Sequence, residues 1–253
     1  MKILLTNDDG INSEGLYSLY LQAKKLGDVT IVAPDAEQSA VGHAITLSQP
    51  LRVKEIMRNR SFYGYAVNGT PADCVKIGVR AVMKSRPDII ISGINLGPNL
   101  GTDVIYSGTV SAATEGRILG VPSFAISLAT YKKPDYEYAA KFARRLIRVV
   151  VRQGLPADTL LNVNVPPVPE GKVRGVKITH QSKSRFIEVF DKRKDPRERT
   201  YYWLTGEMAQ MEDDRDADDV AIKENYISIT PIHFDMTDYR YLEELKRKNI
   251  LLC

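Results

Sequence analysis

The sequence has few residues of the kinds that bind soft metals or form disulfides. Its 253 residues include two cysteines, Cys74 and Cys253, and three histidines, His43, His180 and His233. The cysteines have neither the spacing of a metal site nor that of a disulfide framework, so we expect both to be reduced thiols. A fold stapled by disulfides is therefore excluded.

Long hydrophobic runs and a strong net charge are also lacking. No stretch approaches eighteen uninterrupted apolar residues, and the chain opens on a strand pattern instead of a basic region followed by an apolar run. We therefore expect a soluble, cytoplasmic protein with no membrane partner. The formal net charge of +4 falls short of a dense nucleic-acid-binding surface, so no nucleic-acid partner is expected.

Strand and helix patterns alternate through the first part of the chain. Strands are predicted at KILLT, VTIVAP, PDIIISGIN and PSFAISL, with weaker strand patterns at LRVKEI and FYGYAVNG. Helices are predicted after the N-caps Ser13 and Thr70, over GTVSAATEGRILG, and from Asp135 to Gly154. This alternation predicts an α/β fold, with a mostly parallel sheet and helices on both faces.

Beyond residue 165 the pattern becomes β-rich, with strand-like runs such as VRGVKITHQ, RTYYWLT and YISITPI and a closing helix from about Asp238. We expect an α/β domain over residues 1–165 that carries the site, and a β-rich extension over residues 166–253 with projecting hairpins. Such hairpins commonly pair with another copy of the same chain. The cluster of Lys192, Arg193 and Lys194 alternates with Asp191 and Asp195, which predicts a salt-bridged hairpin.

Oxygen-bearing side chains follow the predicted strands, at the edge where an open parallel sheet binds its ligands. They are Asn7, Asp8 and Asp9, then Asp35 and Ser39, then Asn68 and Thr70, and finally Ser92 and Asn95, with Gly93 between them. Oxygen ligands without histidine or thiolate suit a hard divalent cation such as magnesium, manganese or calcium. A dication would also turn the repulsion between the adjacent Asp8 and Asp9 into shared attraction. The alternative is a surface turn in which Asp and Gly only satisfy turn geometry.

The stretch GINLGPNLGTDVIYSGTVSAATEG is rich in glycine and leads into a helix at Ser107, Gly108 and Thr109. Free N–H groups at a helix start, the positive end of the helix dipole and two hydroxyls suit a phosphate group. The alternative is an N-cap whose small residues only allow close packing on the sheet. The phosphate interpretation gains from the neighbouring cation site, because a divalent ion beside a phosphoryl oxygen recurs in catalysis.

Other motifs narrow the choice of function. A haloacid dehalogenase-type phosphatase needs a second Asp two residues after its nucleophile, where Gly10 follows Asp8, and the NDDGIN stretch lacks the glycine pattern of a dinucleotide-binding fold. His43 lies four residues after Ser39 and could border the site. The acidic residues near the end of the chain are expected to form a solvated loop: Glu212, Asp213, Asp214, Asp216, Asp218 and Asp219.

A set of motifs, in order along nearly the whole chain, resembles the family of the stationary-phase survival protein SurE: ILLTNDDG, VAPDAEQSA, VNGTPADCV, SGIN, GTDVIYSGTVSAATEG, YYWL and YISITPI. The resemblance implies a Rossmann-like domain, a β-rich extension exchanged between subunits, and homodimers or homotetramers. One departure is Asn225, at a position that is often glycine in the family. Because Asn tolerates a left-handed backbone, no functional consequence is expected.

The resemblance also implies a metal-dependent nucleoside 5'-monophosphate phosphatase with one divalent cation per subunit, magnesium or manganese, and calcium as a further possibility in crystals. The implied metal ligands are Asp8, Asp9, Ser39 and Asn95, and the implied phosphate contacts are Asn99, Ser107, Gly108 and Thr109. We expect Asp8 and Thr109 to be catalytic, with Asp8 as a base for water or as a direct nucleophile. The alternatives are a nucleotide-binding sensor without turnover, or a phosphatase for other phosphomonoesters or short polyphosphate.

Overall fold

The computed structural model describes residues 1–209 and 214–248, and within them eleven strands form two sheets. The strands are β1 (Lys2–Thr6), β2 (Asp28–Pro34), β3 (Val53–Arg58), β4 (Ser61–Val67), β5 (Ile89–Leu96), β6 (Ser123–Leu128), β7 (Thr159–Val165), β8 (Gly175–Ile178), β9 (Arg185–Lys194), β10 (Thr200–Ala209) and β11 (Tyr226–His233).

The helices are α1 (Glu14–Ala23), α2 (Pro71–Ile77), α3 (Asp103–Tyr106), α4 (Gly108–Ile118), α5 (Glu137–Gln153), α6 (Asp218–Lys223) and α7 (Tyr239–Arg247). The predicted caps Ser13 and Thr70 are confirmed, and the closing helix begins after Asp238 as expected; each of these side chains accepts a backbone N–H of the first helical turn. The predicted helix after Thr70 is not uniform, because α2 passes into a π-helical segment over Gly78–Val82. None of the helices described is long and apolar enough to span a membrane.

The main sheet has nine strands in the order β3-β4-β2-β1-β5-β6-β7-β11-β8. Its strands are parallel except where β3 meets β4 and where β11 meets β7. The predicted α/β class with a mostly parallel sheet is therefore confirmed. The chain moves outward from β1 to β2 on one side and from β5 to β6 on the other, so the topological switch point lies between β1 and β5. Open α/β sheets bind their ligands at this point, outside the carboxyl ends of the strands.

Two layers of helices cover the main sheet. α1 and α5 pack together on one face, where Leu16, Leu19 and Ile147 are fully buried against strand residues such as Ile3. α2 and α4 pack together on the other face, around a smaller cluster that includes Cys74. The strands at the centre of the sheet are continuously apolar because both of their faces are buried.

The β-rich extension contributes to both sheets. β8 and β11 lie at one edge of the main sheet, which therefore includes strands from both sides of residue 165, the expected domain boundary. β9 and β10 form a separate antiparallel hairpin. Its tip is salt-bridged as predicted, by Arg193 with Asp191, Lys194 with Glu198, and Arg199 with Asp195. Before β11, Asn225 has a φ of +63°, the left-handed conformation expected there.

The acidic run near the end of the chain does not form the solvated loop that we expected throughout its length. Asp214 and Asp216 are exposed, whereas Asp218 and Asp219 begin α6 and are buried. Backbone N–H groups and a serine hydroxyl donate to the two carboxylates and so compensate the cost of their burial. Glu212, Asp213 and Cys253 lie outside the described residues.

Candidate functional site

The turn after β1 is built around Asn7. Its side-chain amide donates to Gly10 O at 2.9 Å and to Ser13 Oγ at 2.8 Å. Gly10 has a φ of +93°, which glycine adopts without the strain that a Cβ would introduce. Asn7, expected as one of the oxygen donors of the site, is fully buried and holds the turn together. The chemistry of this turn therefore rests on Asp8 and Asp9.

The first turn of α4 fixes the Asp8 side chain. Thr109 donates its backbone N–H to Asp8 Oδ2 at 2.9 Å and its hydroxyl to Asp8 Oδ1. The backbone of Asp8 is fixed as well, because the Gln38 N–H donates to Asp8 O at 2.7 Å. Gly108 leaves room for this carboxylate, since a Cβ on Gly108 would lie 2.9 Å from Asp8 Cβ. Asp8 thus has one defined orientation, with a side chain that is almost fully buried.

Burial raises the pKa of both neighbouring carboxyl groups. At Asp8, burial outweighs the hydrogen bonds from Thr109, which act in the opposite direction. At Asp9, burial and the negative charge of Asp8 raise the pKa to about 7, although the Leu96 N–H donates to Asp9 Oδ2 at 3.2 Å. A dication would reverse this effect, because it stabilises the ionised form of both groups.

Ser39 and Asn95 face the same cleft as Asp8. The cleft has a volume of about 420 Å³, and the predicted site residues that line it are Asp8, Ser39, Asn95, Asn99 and Ser107. The Asn95 Nδ2 atom donates to Gly97 O at 2.8 Å, which directs the amide oxygen to other partners. Ser39 Oγ donates to Glu37 Oε1 at 2.5 Å and keeps its lone pairs for a ligand.

This donor set fits a hard cation. Within residues 1–209 and 214–248, no three His, Cys, Asp or Glu side chains come together as a metal-binding cluster. The candidate ligands are instead two carboxylates, from Asp8 and Asp9, with the hydroxyl of Ser39 and the amide oxygen of Asn95. Asp9 is not itself in the cleft lining, but it follows Asp8 and accepts the N–H of Leu96, which is. Such all-oxygen sites suit magnesium, manganese or calcium and suit zinc poorly.

Other polar residues that follow strands have different surroundings. Asn68 Oδ1 accepts the Arg52 N–H at 2.5 Å, and Thr70 caps α2. Ser92 is fully buried and Asp35 is exposed. The cleft lining contains none of these four residues.

Thr109, predicted to be catalytic and to contact phosphate, contacts Asp8. It is fully buried, and both its hydroxyl and its N–H already donate to Asp8. Ser107 faces the cleft and caps α4, since its Oγ accepts the Val110 N–H at 3.1 Å. The start of α4 therefore meets the cleft at Ser107.

A buried amide network under the cleft escaped the sequence analysis. Asn99 N donates to Asn164 Oδ1 at 2.8 Å, and Asn99 O accepts the side-chain amides of Asn162 at 2.8 Å and Asn164 at 2.9 Å. Its own side chain donates to Ser127 Oγ at 2.8 Å. The signal in the sequence is the alternation NVNV, which places two asparagines on one face of the otherwise apolar strand β7. The network fixes Asn99 at the cleft floor.

Large side chains surround the opening of the cleft, and the sequence did not predict them as part of the site. Tyr106, Tyr131, Phe186 and Leu204 line it and are exposed, with Tyr131 72% exposed. Phe186 and Leu204 come from the β9–β10 hairpin, which therefore forms one wall. The sequence pattern could not predict this wall, because the residues of a hairpin do not show against which part of the molecule the hairpin packs.

His43 contacts α4 instead of a cleft ligand. His43 Nε2 lies 3.0 Å from Glu115 Oε2, and Lys76 Nζ lies 2.6 Å from Glu115 Oε1. Burial tends to raise the pKa of Glu115, but hydrogen bonds from His43 and Lys76 prevail and lower it. This arrangement ties the loop after Ser39 to the helix that orients Asp8.

Fold and site together define an open α/β protein with a carboxylate pair and a helix N-terminus at its switch point. The family model described as "Survival protein SurE" matches residues 3–188. The chain is 53% identical to the 5'-nucleotidase SurE of Pelotomaculum thermopropionicum over 98% of this chain and 95% of that protein. It is 50% identical to the 5'-nucleotidase SurE of Syntrophobacter fumaroxidans over 99% of this chain and 100% of that protein.

A solved structure agrees with these sequence matches. The crystal structure of the SurE protein from Aquifex aeolicus superposes with a TM-score of 0.85 at 40% identity, covering 98% of this chain and 99% of that one. The chain belongs to the SurE family.

Proposed function

We propose that this protein is a 5'-nucleotidase, which hydrolyses nucleoside 5'-monophosphates to nucleoside and phosphate. The observation that carries the proposal is the contact between Asp8 and the first turn of α4. It places a carboxylate pair suited to bind a cation next to a helix N-terminus suited to bind phosphate. The family relationship supports it, since the relatives at 50% and 53% identity are named 5'-nucleotidases.

One divalent cation per subunit, magnesium or manganese, would be held by Asp8, Asp9, Ser39 and Asn95. A cation in this position supplies positive charge that polarises the phosphoryl oxygens and stabilises the transition state. The donor atoms of the site support this set, because they are all oxygens and because a nearby positive charge would favour ionisation of two carboxyl groups whose pKa values are raised by burial.

Other groups of the protein would bind the phosphate and activate the attacking water. Ser107 and Asn99 line the cleft, and the Gly108 N–H follows Ser107 at the helix start; these groups would orient the phosphate. Asp8 directs the attack on phosphorus, and Thr109 holds the Asp8 carboxylate in place. We assign the attack to water with Asp8 as its base, because the two hydrogen bonds from Thr109 hold the carboxylate in one orientation and leave each oxygen a lone pair that can take a proton from water.

The rim of the cleft favours a nucleotide over a smaller phosphate ester. Tyr106, Tyr131 and Phe186 present exposed aromatic surface close to Asp8, and a nucleobase can stack on such rings. Short polyphosphate or a simple phosphomonoester would leave this surface uncovered.

The test is phosphate release by the purified protein from a panel of nucleoside 5'-monophosphates, with p-nitrophenyl phosphate and tripolyphosphate as comparison substrates. We expect release from the nucleotides that stops in chelator and returns with added manganese or magnesium. Tight nucleotide binding without phosphate release at any metal concentration would establish the sensor alternative instead. Preference for tripolyphosphate or p-nitrophenyl phosphate would establish the other phosphatase class.

The working form is proposed to be a homodimer or homotetramer in which the β9–β10 hairpins pair between subunits. The register pairs Leu204 with Phe190 on one face of the hairpin, which includes the cleft wall. The opposite face carries Ile187, Val189 and Trp203, which are 45%, 56% and 59% exposed. Contiguous apolar surface of this kind on a projecting hairpin supports burial against a second copy.

A further inference from the structure

Asp218 is a buried carboxylate that lies outside the cleft. It is 0% exposed at the start of α6. Its Oδ2 accepts the Gly101 N–H at 3.1 Å, and its Oδ1 accepts the N–H groups of Ser182 at 3.1 Å and Asp219 at 2.8 Å. Three backbone donors compensate the burial of this group, so Asp218 is tightly built into the structure.

The donors to Asp218 come from two segments that border the cleft. Residues 97–102, the cleft loop, follow β5, and residues 181–184, the hairpin root, lead into β9. The two segments also bond each other directly. Gln181 Nε2 donates to Gly101 O at 2.7 Å, and the N–H and hydroxyl of Thr102 donate to Ser184 O at 3.0 and 3.2 Å.

Gly101 shows how closely the two segments approach. Its φ is +52°, and a Cβ there would lie 2.4 Å from Ser184 O. The backbones are thus in direct contact, with no side chain between them to absorb a shift. A displacement of the hairpin root is therefore passed to the cleft loop.

The cleft loop carries residues of the cleft, and the hairpin root leads directly into others on β9. The cleft loop contributes Pro98 and Asn99, and the hairpin root places Phe186 and Glu188 on the opposite wall. Asp218 is bonded to the loop two residues after Asn99 and to the root four residues before Phe186. Together with the direct bonds between the two segments, this one side chain therefore helps to set the distance between the cleft loop and the hairpin wall.

We propose that Asp218 is a positioning residue for the reaction: it locks the cleft loop to the hairpin root and so keeps Asn99 and the hairpin wall aligned with Asp8. This rests on the proposed function. Asparagine at this position has one acceptor oxygen in place of two, so it cannot accept from both Gly101 and Ser182. The Asp8 turn is untouched by this change.

The experiment compares Asp218→Asn with Ser184→Ala. The control removes the hydroxyl that donates to Asp219 Oδ2 at 2.6 Å but keeps the Ser184 carbonyl that receives Thr102. We expect Asp218→Asn to lower kcat/KM for adenosine monophosphate by about tenfold to a hundredfold, since small displacements of positioning groups have effects of that size. Manganese affinity by calorimetry should stay unchanged. Ser184→Ala should stay within about twofold of wild type in kcat/KM.

Hydrogen exchange of the amides in residues 97–102 gives a readout that does not depend on activity. It should rise in Asp218→Asn and not in Ser184→Ala. Wild-type kinetics and unchanged exchange in a folded Asp218→Asn protein would overturn the proposal. If that variant fails to fold, Gly101→Ala, whose Cβ would meet Ser184 O, pushes the cleft loop away from the hairpin root and must show both effects. Absence of phosphate release from the wild type would contradict the proposed function alone, and exchange would still decide the role of Asp218.

Discussion

Asp8 and Asp9 are neighbours, but they are held differently, and this decides what a neutral replacement does at each position. Asp8 accepts from Thr109 with both of its oxygens, so asparagine there would turn an amide N–H toward one of the Thr109 donors. Asp9 accepts one N–H, from Leu96, and an asparagine can keep that bond. Asp9→Asn is therefore the cleaner removal of charge.

Asp9→Asn should lower phosphate release at saturating manganese by about a thousandfold, because cation-dependent charge stabilisation contributes several kcal/mol to such reactions. Its melting temperature in chelator should exceed that of wild type at pH 8 and equal it at pH 4. The folded pKa of about 7 lies above the ordinary value of 3.8, so wild type loses stability as pH rises through this window. Near wild-type turnover, or no difference between the two pH values, would contradict the assignment.

Thr109 is expected to act through Asp8. Thr109→Val keeps the shape and the backbone N–H but removes the hydroxyl that reaches Asp8 Oδ1, so kcat should fall by about a hundredfold. Thr109→Ser keeps the hydroxyl and should stay within about threefold of wild type. The measurement is steady-state turnover per folded molecule for both variants. Equal activity of the two would show that the hydroxyl has no role beyond packing.

At the scale of elements, α4 connects the packing of the sheet to the site. Its glycines at two positions have different neighbours. A Cβ on Gly108 would press on Asp8, whereas a Cβ on Gly116 would lie 3.1 Å from Ile90 Cδ1 and Ser123 Cβ, inside the core. Alanine at Gly108 should therefore damage the site, whereas alanine at Gly116 should damage the packing of the core.

Gly108→Ala should reduce turnover by about a hundredfold, because it displaces the Asp8 carboxylate from Thr109. Gly116→Ala should lower the melting temperature by several degrees, as overpacking of a core does, and leave turnover per folded molecule near wild type. Kinetics and thermal melting of both variants provide the check. Loss of activity in both to the same extent would mean that stability, not the Asp8 contact, explains the effect.

The elements show which features a sequence can predict. Helix starts at Ser13, Thr70 and Asp238 were predictable, because a cap is a local hydrogen bond between a side chain and the next turn. The convergence of Asp8, Ser39 and Asn95 was predictable from strand order and the switch-point rule. The bond between Thr109 and Asp8 was not, since it joins residues about a hundred positions apart and requires the register of α4. Burial of Asp218 was missed for the same reason.

At the scale of the whole molecule, the two faces of the β9–β10 hairpin have different roles. One face closes the cleft through Phe186 and Leu204, and the other exposes Val189 and Trp203. A substitution on the second face can therefore alter assembly without touching the cleft wall.

Light scattering should give the intact protein a mass of at least two chains. Trp203→Ser combined with Val189→Ser should shift that mass toward one chain, because burial of such side chains contributes about 1.5–3 kcal/mol each. Lys192→Ser, at the charged end of the same strand, is the matched control and should not change the mass. A mass of one chain for the wild type would refute the proposed pairing of hairpins.

The central claim is that Asp8, Asp9, Ser39 and Asn95 hold a divalent cation beside the start of α4. Anomalous diffraction at the manganese edge, from crystals grown with manganese and inorganic phosphate, tests it most directly. The account predicts one anomalous peak per subunit, about 2.0–2.3 Å from the oxygens of these side chains, and a phosphate between that peak and the Ser107–Gly108 turn. Manganese bound at another place, with none at Asp8 and Asp9, would contradict it.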